Sequence, residues 1–145
     1  MIVIIDTSIL ISTLLSRGKT HLTDVIRLAK SKQLTLAISP QTLAEFKQAI
    51  QSDKVKQFIA YDPRIFASFV AWYQYNTRLY STSNYEMKTV LRDYNDNIFL
   101  MLAHACKADY LISGDKDLLI IKKIGTTHIV NPEKFIREYT KKHSM

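Results

Sequence analysis

Apolar positions along the chain fall into two alternating kinds of run. Ile2 to Ile5 is short, continuous and β-branched, and it stops at Asp6, the pattern of a strand buried on both faces. Tyr110 to Ser113 is another short buried strand, Leu34 to Ile38 and Thr127 to Val130 read as further strands, and Leu79 to Ser81 as a shorter one. Between these runs the apolar residues return at helical spacing. Ile9, Leu10, Leu14 and Leu15 follow Asp6-Thr7-Ser8 until Arg17-Gly18-Lys19 breaks the helix. Leu22, Val25, Ile26 and Ala29 line a helix from Thr20 to Lys32, and Leu43, Phe46 and Ile50 line another that reaches Gln51. Lys54 to Tyr61 predicts a further helix, and Phe66, Phe69, Val70 and Tyr73 stripe one that ends near Thr77.

Helix starts are marked by cap residues followed by proline, at Ser39-Pro40, Asp62-Pro63 and Asn131-Pro132. Arg78 to Leu91 is the least patterned stretch, with Ser83 to Glu86 read as a loop. Asn95 or Asp96 opens a central helix that is apolar nearly all round from Ile98 to Cys106 and must therefore be buried. Asp117 to Ile121 predicts one helical turn, and Phe135, Ile136 and Tyr139 stripe a terminal helix.

Short strands alternating with helices predict the α/β class, a parallel sheet with helices on both faces. No linker or repeat interrupts residues 1–145, so a single domain is expected, one that buries roughly 68–70% of its unfolded surface. Right-handed crossovers put the C-terminal ends of the strands on one edge, where open α/β sheets bind ligands. Asp6 and Asp115 follow strands directly and Asp96 opens the central helix. Topology alone brings three acids to that edge.

Composition narrows the class. With 47% hydrophobic residues, three Gly and three Pro, the chain is neither disordered nor fibrous. No apolar run approaches the ~20 residues of a membrane span, and the opening residues lack the layout of a signal peptide. A cytoplasmic location is expected. The lone Cys106 excludes an intramolecular disulfide and sits among apolar neighbours, where thiols are inert. Lys and Arg outnumber Asp and Glu by 20 to 13, yet five of the nine Asp lie between positions 93 and 117. A cationic body around an anionic pocket attracts a polyanion, although the same excess also serves solubility alone.

Clustered carboxylates must take up protons or share a cation. Oxygen ligands without a thiol or imidazole cluster suit Mg²⁺ or Mn²⁺, since His21, His104, His128 and His143 are scattered. A divalent cation held by carboxylates can activate water and stabilise a phosphoryl group, which on a basic protein describes a nuclease. Each acid also has a plainer role open to it. Asp6, Asp93 or Asp96 could cap a helix, and Asp115 and Asp117 could make Asx turns. Glu45 falls with Gln41 and Gln48, away from the Leu43, Phe46 and Ile50 stripe, where a solvated glutamate belongs.

Other chemistries lack their residues. Ser8 stands where a haloacid-dehalogenase-type phosphatase has its second Asp, and Gly18, Gly114 and Gly125 are too far apart for a Walker loop or dinucleotide fingerprint. His104 reads as a core or helix-flank residue. Trp72, Tyr73, Tyr75, Tyr80, Tyr85 and Tyr94 could stack bases, but packing explains them as well, Tyr73 above all.

Together, IVIIDTSILIS at 2–12, SPQTLAEF at 39–46 and RDYNDNIFLMLAHACKADYLISGDKDLL at 92–119 resemble the three signature blocks of the PIN-domain family, in particular its prokaryotic toxins of toxin–antitoxin pairs. The resemblance implies a three-layer α/β/α sandwich with a mostly parallel sheet, and a metal-dependent ribonuclease acting on single-stranded RNA. It implies Mg²⁺ or Mn²⁺ held by Asp6, Glu45, Asp96 and Asp115, with Asp117 an additional acid and Ser8 and Ser113 supporting hydroxyls. For Glu45 it reverses the reading from periodicity. A cognate antitoxin and a homodimer are further implications. The family often has proline after the first aspartate of the third block; Tyr94 stands there, which leaves Asp93 to turn chemistry. Lys19, Lys88, Arg92 and Lys116 lie near the blocks and are candidates to grip phosphates. The rival readings are a housekeeping RNA-processing or DNA-directed nuclease, and a catalytically silent RNA-binding module.

Overall fold

The structure, a computed structural model, describes residues 1–17, 20–82 and 94–143, with the side chains of 94–97 excepted. Lys19, Tyr85, Lys88, Arg92, Asp93 and the loop expected at Ser83 to Glu86 lie outside the described residues. Among those described, six strands form one sheet: β1 (Ile2–Ile5), β2 (Thr35–Ile38), β3 (Arg78–Leu79), β4 (Tyr110–Ile112), β5 (Lys123–Ile124) and β6 (Thr127–Val130). Their order is β3-β2-β1-β4-β6-β5, and every neighbouring pair is parallel except β5 with β6. The helices are α1 (Thr7–Leu15), α2 (His21–Lys30), α3 (Pro40–Ile50), α4 (Asp53–Lys56), α5 (Pro63–Asn76), α6 (Tyr94–Cys106), α7 (Lys116–Leu119) and α8 (Pro132–His143).

Strand alternation sorts the core into two layers. Val3 and Ile5 of β1 join Leu36, Ile38, Tyr110 and Ile112 beneath Leu10, Val25, Phe46, Phe66 and Phe135, which come from α1, α2, α3, α5 and α8. Ile4 points the other way and packs with Ala37, Leu111 and Ile129 against Phe99, Leu102 and Cys106 of α6 and Leu118 of α7. The result is the three-layer α/β/α sandwich with a mostly parallel sheet. Cys106 is buried, and burial pushes its thiol up to about 11, which keeps it protonated and unreactive.

The predicted cap residues act as expected. Ser39 accepts from the Thr42 amide while the Thr42 hydroxyl accepts from the Ser39 amide, a reciprocal box with Pro40 at the first helical position. Asp62 caps α5 through the Arg64 amide at 2.9 Å, and Asn131 caps α8 through the Lys134 amide at 2.7 Å.

Three local expectations change. The helix predicted from Lys54 to Tyr61 is only the single turn of α4, because Val55 is its one buried residue and Phe58 and Ile59 are exposed, leaving no apolar stripe to hold a longer helix. β3 begins at Arg78, although the Tyr80 amide still bonds the Ile38 carbonyl at 2.8 Å. β5 was not anticipated. It forms because Gly125, at φ +57°, takes the first position of a two-residue hairpin that pairs Ile124 with Thr127.

Candidate active site

The order in which the chain adds parallel strands reverses between β1 and β4. From β1 the chain builds outward through β2 and β3, then returns through α6 to place β4 on the other side of β1. The register pairs Ile5 with Ile112, so the residues that follow these two strands meet at the switch point. The Asp6 amide donates to the Ile112 carbonyl at 2.8 Å, and the Ser113 amide to the Val130 carbonyl at 2.9 Å.

Ser113 ties this edge together. Its fully buried hydroxyl donates to Asp6 Oδ2 at 2.7 Å and accepts from the Asp115 amide at 3.0 Å. The exposed Ser8 hydroxyl donates to the same Asp6 oxygen at 3.3 Å. Asp6 occupies the cap position of α1, yet no helix amide makes a capping bond of good geometry to its carboxylate. The Ser8 amide nearby influences it less than the Ser113 and Ser8 hydroxyls do, so capping is not its main contact. Asp115 does cap, with Oδ1 accepting from the Asp117 amide at 2.9 Å at the start of α7. One oxygen spent on a cap leaves its other oxygen for a second task.

Asp6 is only 6% exposed, and burial is the largest influence on it, lifting its pKa above the ordinary 3.8. The Ser113 and Ser8 hydroxyls and the nearby Ser8 amide oppose that rise, and the charge of Asp115 adds to it. An acid so placed favours an arriving positive charge. Ser113→Ala removes the largest opposing influence, so the Asp6 titration, followed by carboxyl ¹³C NMR on metal-free protein, is expected to move further up. A titration that stayed put or moved down would show that the short bond does not hold the charged form.

Glu45 does not stand free in solvent as helix periodicity suggested. It is half-buried, and Thr7 Oγ1 donates to Glu45 Oε2 at 2.6 Å. The contact arises from α1 packing on α3, which the spacing within α3 cannot reveal. Thr7, 6% exposed, is the residue that the sequence did not single out.

Asp96 lies in the first turn of α6, past the capping position. Because α6 ends at Cys106 and leads directly into β4, it runs opposite to the strands, and its opening turn lies toward their C-terminal edge. Its side chain is outside the description. Asp117 and Lys116 are exposed on α7. Among the described residues no three His, Cys, Asp or Glu side chains gather as a metal-holding group. What is on view is the pair Asp6 and Asp115, with Glu45 bonded to the residue beside Asp6.

Among the described residues the aromatic side chains do not form one platform. Tyr73 is buried against Phe46 and Phe69, Trp72 lies under the Lys30 ammonium, and Tyr75 is exposed. His104 is exposed on α6, a helix-flank position. An apolar cleft of about 630 Å³ opens beside Ser8 and is lined by Ile11, Leu15, Val55 and Phe58, with Lys54 among its residues.

Residues 2–117 match the model of the PIN domain. Comparison with curated proteins gives no match. Among solved structures, a chain of VapBC2 from Rickettsia felis, in a crystal structure bound to a DNA fragment from their promoter, is similar with a TM-score of 0.61 and 21% identity, covering 90% of this chain and 98% of that one. The RRP44 PIN domain of T. brucei is similar with a TM-score of 0.50 and 15% identity, covering 97% of this chain and 82% of that one. At these identities the likeness is one of fold.

Proposed function

The chain belongs to the PIN-domain family, and from that premise we propose that it is a metal-dependent endoribonuclease that hydrolyses phosphodiester bonds in single-stranded RNA, and the toxin of a toxin–antitoxin pair. The observation that carries the reading is the buried Asp6 carboxylate, held by two serine hydroxyls beside Asp115 at the switch point of the sheet. Such an acid is costly to keep charged alone and useful beside a cation.

The donor set is all oxygen, which fits Mg²⁺ or Mn²⁺. Asp6, Glu45, Asp96 and Asp115 would hold the ion, with Asp117 an additional acid nearby. When bound, the cation supplies Lewis-acid activation of water and offsets charge on the phosphate during in-line displacement. The remaining work belongs to the chain. Ser113 and Ser8 fix the Asp6 carboxylate, Ser113 also holds the turn that carries Asp115, and Asp115 fixes the start of α7. The net charge of +7 draws an RNA backbone toward the protein, and Lys116 is exposed beside Asp115 to meet it.

A small antitoxin covering this edge is part of the proposal. The fold shared with a chain of VapBC2 and the apolar cleft beside Ser8 support it. A homodimer and a cytoplasmic site of action complete the reading; no helix among the described residues is long and apolar enough to cross a membrane.

The test is cleavage of a mixed single-stranded RNA by purified protein with Mn²⁺, beside the Asp96→Asn variant. Cleavage by the parent and loss in the variant are expected. Equal cleavage by both would remove Asp96 from the site, and no cleavage by the parent would favour a silent RNA-binding module. A housekeeping nuclease is distinguished by growth, since induced expression of a toxin should arrest it.

A further inference from the structure

The Glu45 carboxylate projects from the middle of α3 on the side that periodicity assigns to solvent, and it is the longest and most flexible of the proposed ligands. One contact shown for it is short and comes from a residue with no assigned role. Thr7 Oγ1 lies 2.6 Å from Glu45 Oε2, within the range of a hydroxyl donating to an ionised carboxylate. Thr7 is itself well suited to set a direction. It is buried, its branched side chain is stiff at χ1, and as the first residue of α1 it has no preceding helical turn whose carbonyl would take its proton.

We infer that Thr7 is a positioning residue for Glu45, tethering that carboxylate to the start of α1, one residue from Asp6, so that the two acids act on one cation. The inference rests on the metal-nuclease reading above and deepens it. Asp6 precedes α1 and Glu45 lies within α3, in different parts of the chain, and the Thr7 hydroxyl bonds one to the backbone neighbour of the other. Sequence places Thr7 between the two residues of the first block that do carry expected roles, Asp6 and Ser8. Its own role is directed to the opposite partner, across to α3.

The test compares Thr7→Val, which keeps the shape and loses the donor, with Thr7→Ser, which keeps the donor, and with Glu45→Gln. Mn²⁺ affinity is read by the free-ion EPR signal, and thermal unfolding is read on metal-free protein. Thr7→Val is expected to bind Mn²⁺ roughly tenfold more weakly than the parent, with metal-free unfolding close to the parent, and Thr7→Ser to restore the affinity. A purely structural role would move unfolding and leave affinity alone. Weak binding by Glu45→Gln beside unchanged binding by Thr7→Val overturns the positioning role, as does a Thr7→Ser variant no better than Thr7→Val. Unchanged binding by Glu45→Gln takes Glu45 out of the site, and the assignment beneath the inference fails with it.

Discussion

Asp6→Asn is expected to reduce RNA cleavage on the order of a thousandfold and, at the same time, to stabilise the metal-free protein at neutral pH. Burial lifts the Asp6 pKa above the ordinary 3.8, so between that value and its raised one the folded chain binds more protons than the unfolded chain. Stability therefore falls as pH rises through this window, and the full penalty persists above it. Asparagine carries no charge to desolvate, and its side-chain oxygen can still accept from Ser113. The parent should lose stability with rising acid-range pH, measured by urea unfolding in the presence of chelator, and the Asn variant should lack that component. Added Mn²⁺ should stabilise the parent and not the variant, by binding the folded state alone. Retained cleavage would take Asp6 out of the site, and a variant less stable than the parent at neutral pH would contradict the burial penalty.

Phe46→Ala is expected to remove about 3–5 kcal/mol of stability, the usual range for emptying a buried aromatic site. Phe46 is 1% exposed, and its ring meets Phe69 at 6.1 Å and Tyr73 at 5.7 Å, both edge-on. Both partners come from α5, so the ring packs α3 against that helix. The unfolding midpoint should drop on the order of 10 °C, and because Glu45 is the adjacent residue, Mn²⁺ affinity should fall as well. A loss below about 1 kcal/mol would mean that the neighbours close over the vacated space.

The elements that sequence makes readable are those whose reason is local. Ile2 to Ile5 declares a buried strand by composition, and Ser39-Pro40 and Asp62-Pro63 declare helix starts through bonds made within three residues. The switch point, and with it the meeting of Asp6 with the turn carrying Asp115, follows from strand order and crossover handedness. Where the reason is tertiary, the pattern misleads. Lys54 to Tyr61 has helical composition and only one buried residue, and Glu45 lies on a face that α1 approaches from outside the helix. Asp115 shows that the two readings of an acid need not compete, because it caps α7 and still stands beside Asp6. Thr7 carried no local signal, since its partner lies 38 positions away.

The serine that holds Asp6 lies 107 positions further along the chain. On the ribosome Asp6 is made well before the strand that pairs with β1 on this side and the hydroxyl that grips it, which are present only once synthesis has passed β4. Any product released earlier lacks Ser113 and Asp115 together. Translation thus acts as a timer on this edge, whose acids and serine can come together only after the chain has been made through β4.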